Sequence, residues 1–289
     1  MKVIVTGASG LLGHEMADIF EENTYRTIRL MGRKSVDITK PKEIIEFVTK
    51  EKPDCVIHCA GSREIDAMED SAELGYLSNT FGTKNVALAC ESAGCKLVYI
   101  SSDAVYDGEK IQGYHEFDAT NPINVYGKSK LLAEKEVKSY CSKYFIIRTA
   151  LLFGYKGHRE NNFIFNIIDT IKKGEKIYAN NAQICSPSYT KDLGEAILKM
   201  VETTYYGIYN VSNSEIASRY DLSREVAEML GLDEELVISA DAALSGKKAK
   251  RPKNTVFHSL TFEKTFNIKM QSWQNALNNC IEDIKAKKL

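Results

Sequence analysis

Two hydrophobic patterns alternate along the first half of this chain. Residues 2–6, 25–31, 54–60, 96–101 and 144–148 are short, largely apolar and rich in β-branched side chains. Such runs suit strands covered on both faces. Between them, 11–21, 41–51, 79–93 and 124–140 carry apolar positions at helical spacing. Pro41 stands at a first-turn position that tolerates it, and Gly94 supplies a left-handed stop. Strands and helices in this rhythm predict right-handed βαβ units and a doubly wound parallel α/β sheet.

After Arg148 the rhythm changes. Residues 153–161 read as a Gly-rich, charged loop, and 162–173, 189–202, 218–230 and 273–285 as helices. A strand is expected at 207–211 and a basic loop at 242–254. This half is expected to form a smaller, discontinuous C-terminal substrate-binding lobe. The division expected is 1–153 plus about 186–213 for a Rossmann-type cofactor domain, with about 154–185 and 214–289 for the lobe.

The chain of 289 residues is long enough to bury a full core, and its 44% apolar and 27% charged residues are ordinary for a globular protein. Its 38 basic and 39 acidic residues, net −1, give no electrostatic reason to expect a nucleic acid or a membrane as partner. The seven cysteines are scattered, with no two-residue-spaced pair of a zinc ribbon or redox motif. That usage suits a reducing cytosol. The N-terminus turns polar too soon for a signal peptide, so a cytoplasmic protein is expected. His14, His58 and His115 lack ligand spacing and read as structural or surface residues.

Thr6-Gly7-Ala8-Ser9-Gly10-Leu11-Leu12-Gly13 follows the first strand and opens the first helix. Gly7 permits a tight turn, Gly10 lets the backbone approach a pyrophosphate, and Gly13 lets helix and strand pack closely. The helix N-terminus then offers free N–H groups to phosphates. The second strand ends Leu30-Met31-Gly32-Arg33-Lys34, without the acidic residue that would bind a ribose 2′-hydroxyl. Its cations can instead accept a 2′-phosphate, each charge-assisted bond giving about 1.5–3 kcal/mol. NADPH is therefore expected, with NADH the alternative, and Asp37 and Ile38 are candidates for the adenine pocket.

Tyr126 and Lys130 are four residues apart, on one helix face. An ammonium about 4 Å from a phenol, at an effective dielectric of ~20, offsets enough of the cost of ionisation to make Tyr126 a usable acid or base. A Tyr and a Lys at this spacing are usually a surface pair; a hydroxyl at a strand end changes that. Val98-Tyr99-Ile100-Ser101-Ser102-Asp103 supplies one, with Ser101 or Ser102 placed at the carboxyl edge where open α/β sheets bind ligands.

These residues resemble the extended short-chain dehydrogenase/reductase family over nearly the whole chain. The resemblance rests on Thr6 to Gly13, His58-Cys59-Ala60-Gly61, Asn79 with Gly82-Thr83-Lys84-Asn85, Ser101-Ser102-Asp103 and the Tyr126/Lys130 pair. Within it, the runs from Ser101 to Gly108 and from Asn121 to Lys130 are similar to the dTDP-4-dehydrorhamnose reductases. So are Asn161-Asn162-Phe163, Asn181 with Gln183 and Pro187, and Arg251-Pro252-Lys253-Asn254. The resemblance implies Tyr126 as proton donor, Lys130 as its partner and Ser102 as the hydroxyl that orients the carbonyl. It implies that Gly7, Ser9, Gly10, Leu11, Leu12, Gly13, Arg33, Asp37, Ile38, Cys59, Ala60, Gly61 and Asn79 line the cofactor, with Tyr126 and Lys130. Ser102, Asp103, Tyr126, Asn162, Gln183 and Arg251 would contact a nucleotide-diphosphate sugar, and Arg251 is singled out from the basic run Lys247, Lys248, Lys250, Arg251, Lys253.

Two positions depart from that pattern. Ser102 stands where Thr is usual, and Ala150-Leu151-Leu152 where an aromatic residue is common. Of the glutamates that hold Mg²⁺ in some members only Glu15 has a counterpart, so no metal is expected. The function expected is NAD(P)H-dependent reduction of the 4-keto group of a nucleotide-linked 6-deoxy sugar, in polysaccharide biosynthesis, with a homodimer allowed. The alternatives are an epimerase that retains its NAD and a non-catalytic NADP-binding module. Dehydration is disfavoured because Ala104, not an acid, follows Asp103.

Overall fold

A computed structural model describes residues 1–240 and 248–288. Its centre is a six-stranded parallel sheet built from β1 (Lys2–Thr6), β2 (Arg26–Leu30), β3 (Cys55–His58), β4 (Lys96–Ile100), β5 (Tyr144–Arg148) and a last strand, Gly207–Asn210. The spatial order is Gly207–Asn210, β5, β4, β3, β1, β2, every neighbour parallel. The chain runs outward from β1 in both directions, so the strand order reverses there and a crevice opens at the carboxyl ends.

The alternation of strand side chains sorts the core into two layers. Val3, Val5, Ile57, Val98 and Phe145 face α1 (Leu11–Glu22) and the Thr190–Val201 helix, meeting Met16, Phe20, Leu193 and Ile197. Ile4, Val56, Leu97, Tyr99 and Ile146 face the other way, onto Ile44 and Val48 of α2 (Pro41–Glu51), Val86 of the Gly82–Ala93 helix and Val137 of the Val125–Tyr140 helix.

A separate core lies beyond the carboxyl edge. It joins the apolar faces of the Phe163–Lys172, Arg219–Met229 and Trp273–Ala286 helices through Ile164, Ile168, Leu222, Val226, Trp273 and Leu277. Ile184–Cys185 is the middle strand of a small sheet, antiparallel to Ala217–Ser218 and parallel to Asn254–Thr255. Phe262, from a Leu260–Phe266 helix that the pattern missed, and Met270 pack not here but under the large sheet.

Other differences from the sequence pattern have local causes. The helix expected from 79 begins earlier, through Ile65–Asp70, Ala72–Gly75 and a π-helical stretch Tyr76–Phe81 that runs into Gly82–Ala93. Within that stretch Asn79 bonds to Ser62 and Ser129, tertiary contacts that no periodicity reports. Ile177–Asn180 and Val237–Ala240 form a two-stranded parallel pair, each too short for a two-residue period to register. Among the described residues no helix is long and apolar enough to cross a membrane. Of the basic loop expected at 242–254, residues 242–247, Lys247 among them, lie outside the described residues.

Candidate active site

The Gly-rich turn closes β1 onto α1 as the glycine spacing requires. Gly7 has φ +68°, in the left-handed region, and a Cβ there would meet Ala60 N at 2.8 Å. At Gly13 a Cβ would fall 2.1 Å from Gly7 O, so helix and turn are in backbone contact. Gly10 is different: its nearest such neighbour is at 3.4 Å, leaving the helix N-terminus open to the crevice. No side chain caps α1, and its first turn has no acidic residue. An uncapped helix end presents N–H groups and positive dipole, which fits the diphosphate of a dinucleotide.

That helix end forms one wall of a cleft of about 1050 Å³ along the carboxyl edge of the sheet. Gly7, Ser9, Gly10, Leu11, Leu12, Gly13, Arg33, Ile38, Cys59, Ala60 and Gly61 all line it. Arg33, exposed at the end of β2, makes no ion pair among the described residues and suits a 2′-phosphate. Asp37 and Asn79 do not line the cleft. The Asp37 carboxylate is taken up by the backbone and hydroxyl of Thr39 (3.0 and 2.7 Å), and Asn79 lies behind the wall, accepting from Ser62 N and donating to Ser129 Oγ.

The two serines after β4 point to different places. Ser101 donates to Glu134 at 2.6 Å, and Glu134 forms a buried two-pronged ion pair with Arg148 (2.9 and 2.7 Å). Arg148 also donates to Tyr106 Oη at 2.8 Å. Ser101 is thereby tied into the layer behind the site, which no sequence spacing signalled. Ser102 turns into the cleft that Tyr126 also lines, and donates to Asp103 Oδ1 at 2.9 Å.

Tyr126 enters from the start of the Val125–Tyr140 helix. Asn124 caps that helix by accepting from Gly127 N at 2.7 Å, which fixes Tyr126 in its first turn. Gly127 is there because a Cβ would strike Ala104 O at 2.1 Å. Burial pushes the Tyr126 phenol up to about 12; the Ser102 hydroxyl opposes this and the Asp103 charge adds to it. The sequence expectation that Lys130 lowers this phenol is therefore overturned. Lys130 Nζ donates instead to Ile100 O at 2.5 Å and sits 4.5 Å from the Tyr99 ring centroid. Its own pKa is pushed down to about 8 by burial, with Glu134 pulling the other way.

Asp103 is held between Ser102 and Thr255, whose hydroxyl donates at 2.6 Å. Burial pushes its carboxyl above the usual aspartate range, and those two hydroxyls hold it back. His58 is a structural residue: it bridges Thr6 Oγ1 (2.7 Å) and Thr83 Oγ1 (3.0 Å) inside the core, where burial holds it neutral with a pKa of about 3.

The expected substrate residues divide. Gln183 and Arg251 line the cleft, and Arg251 is paired with Asp66 at 2.9 Å. Asn162 borders it too, but its side chain is consumed as a helix cap: Oδ1 accepts from Ile164 N and Phe165 N, and Nδ2 donates to Gly154 O. A substrate contact through that amide is not what the geometry offers. Sequence reasoning also missed Arg219, which lines the same cleft. The Thr6 to Gly13 turn, Ser102, Tyr126 and Lys130 thus meet in one space, open to a dinucleotide at one end and to the small three-stranded sheet at the other.

Comparison with known proteins gives a consistent picture. The family model described as RmlD substrate binding domain matches residues 1–286. A spore coat polysaccharide biosynthesis protein, SpsK, from Bacillus subtilis is 32% identical over 282 residues, covering 98% of this chain and 97% of that protein. A dTDP-4-dehydrorhamnose reductase from Mycolicibacterium smegmatis is 29% identical, covering 97% of this chain and 85% of its own. The crystal structure of a dTDP-4-dehydrorhamnose reductase from Bacillus anthracis in complex with NADP superposes with a TM-score of 0.92 at 35% identity, covering 98% of this chain and 99% of that one.

Proposed function

The chain belongs to the RmlD substrate binding domain family, of extended short-chain dehydrogenase/reductase type, and on that premise we propose that it is an NADPH-dependent reductase acting on the 4-keto group of a dTDP-linked 6-deoxy sugar. The observation that carries this is that the Ser102 hydroxyl, just after β4, and the Tyr126 phenol, in the first turn of the Val125–Tyr140 helix, line the same cleft as the uncapped N-terminus of α1.

Bound NADPH supplies the hydride. The chain supplies position and a proton. Ser102 orients the keto oxygen by turning its single hydroxyl proton from Asp103 Oδ1 to that oxygen. Tyr126, kept protonated by burial, delivers its Oη proton to that oxygen. Positioned proton transfer of this kind contributes ~10²–10⁴-fold. Lys130, at the foot of the cleft, is placed to meet the cofactor ribose.

In this proposal residues 1–153 with 186–213 carry the cofactor, and 154–185 with 214–289 the sugar nucleotide, apart from Phe262 and Met270 under the sheet. The partner is a nucleotide sugar, not nucleic acid or membrane; the place of action is the cytoplasm, and a homodimer is compatible with it.

The test is NADPH oxidation with freshly made dTDP-4-keto-6-deoxy sugar, wild type against Tyr126→Phe. Stoichiometric oxidation that drops at least 10²-fold in the variant supports the proposal. Sugar conversion without net oxidation would replace it with epimerisation, and tight cofactor binding without turnover of any nucleotide sugar would leave a binding module.

A further inference from the structure

The small sheet at the substrate end of the cleft gathers three polar side chains that are far apart in sequence. Ile184–Cys185 is its middle strand. Ala217–Ser218 runs antiparallel, with Ser218 opposite Ile184, so the chain leaves it at Arg219 beside Gln183. Asn254–Thr255 runs parallel, with Asn254 opposite Ile184, so the chain enters from Arg251 at that same end. The bond from Ile184 N to Lys253 O, 2.8 Å, fixes this register. Gln183, Arg219 and Arg251 all line the cleft.

The cations at this end are not equivalent. Arg251 is neutralised by Asp66 at 2.9 Å, and Lys248 by Asp70 at 2.7 Å. Arg219 makes no ion pair among the described residues. Its guanidinium lies 5.3 Å from the centroid of the Phe163 ring, and the residue is exposed where it lines the cleft. The groups that act on its charge are Cys185 and Asp103 on one side and Arg251 on the other. Asp103 is already committed to Ser102 and Thr255. The guanidinium keeps its proton at neutral pH in this setting. An exposed guanidinium that pairs with no carboxylate among the described residues is available to an anion in the cleft. Its planar fork matches phosphate oxygens.

We propose that Arg219 binds the diphosphate of the nucleotide-sugar substrate, between the reacting sugar at Ser102 and the nucleoside. Arg251, already paired with Asp66, supplies the second and weaker cation. This rests on the function proposed above only for the identity of the nucleotide; the anion site stands on Arg219 itself. Phe163 steadies the guanidinium plane from below, so that the fork is aimed before the ligand arrives.

Calorimetry on the NADPH-bound protein tests it with three probes: dTDP, thymidine and inorganic pyrophosphate. Arg219→Gln should weaken dTDP and pyrophosphate about 10–100-fold, leave thymidine and NADPH within about twofold, and raise KM more than it lowers kcat. Arg219→Lys, which keeps the charge but not the fork, should fall between. Equal dTDP affinity in wild type and Arg219→Gln overturns the inference while leaving the reductase proposal standing. So does a loss shared equally by thymidine, which would mark a general change in the pocket. Pyrophosphate binding that depends on Arg219, in a protein that neither binds dTDP nor reduces the keto sugar, upholds the anion site and removes the proposed substrate.

Discussion

Thr255 donates its hydroxyl to Asp103 at 2.6 Å, although 152 residues separate them. The bond ties the strand that follows Arg251 to the residue beside Ser102, and so couples the substrate lobe to the reacting edge of the sheet. Removing the donor leaves a buried carboxylate short of one partner.

Thr255→Val should therefore cost about 1.5–3 kcal/mol at neutral pH. Burial raises Asp103 in the folded protein, so the native state keeps this proton to a higher pH than the unfolded chain does. The stabilising contribution is full at acid pH and is lost as pH rises through the raised value. The variant raises that value further. Its deficit should be largest at pH 7 and shrink on acidification, as Asp103 takes up its proton in both proteins. Thermal melts of both proteins from pH 8 down to pH 5 would show this; a deficit that stays constant would refute it.

Lys130 gives the opposite sign. Burial lowers it to about 8 in the folded protein, against about 10.4 for a lysine in the unfolded chain. Between those values the unfolded chain holds more protons, so stability rises with pH. Below pH 8 the buried charge costs on the order of 3 kcal/mol, at about 1.4 kcal/mol for each pH unit. Lys130→Met is expected to melt higher than wild type at pH 7, to lose that advantage by about pH 10, and to be nearly inactive. In wild type, kcat/KM should fall above about pH 8 as the ammonium is lost.

The Glu134–Arg148 pair is almost wholly buried, with side chains 1% and 4% exposed. Breaking such a pair strands a charge and costs about 3–5 kcal/mol. Arg148→Met alone should lose that much in urea unfolding. The double variant Glu134→Leu, Arg148→Met should recover part of it, because neither member of the pair is stranded, while the Lys130 ammonium loses the Glu134 charge. The double variant should still be slowed, since Ser101 loses the acceptor that anchors the loop before Ser102.

Gly10 and Gly13 separate folding from binding. Gly13→Ala puts a Cβ 2.1 Å from Gly7 O and should destabilise by about 1–3 kcal/mol or more, as overpacking does. Gly10→Ala meets nothing closer than 3.4 Å and should melt close to wild type. Its methyl instead occupies the diphosphate approach, so NADPH affinity should drop at least tenfold. Melting curves with and without NADPH would distinguish the two variants.

Much of this was legible in the chain because the information is local. Strand and helix periods, the glycine spacing and the four-residue Tyr126–Lys130 step depend on neighbours in sequence, and β1 through β5 lie where the pattern put them. The exit of the chain into helices at 65–81 was not legible, since Asn79 is fixed there by Ser62 and Ser129. Nor could spacing choose between Ser101 and Ser102; Glu134, 33 residues away, made that choice by taking up the Ser101 hydroxyl.

The sequence by itself determined the doubly wound sheet, the turn that receives a diphosphate and the hydroxyl, phenol and ammonium of the site, because each follows from short-range geometry and residue chemistry. The tertiary structure alone decided how those groups are charged and what else joins them. Burial, not Lys130, sets the state of Tyr126. The amide of Asn162 is spent on a helix cap, and Arg219 reaches the cleft through the register of three two-residue strands. Desolvation and register depend on atoms brought together from distant parts of the chain, and no local pattern encodes them.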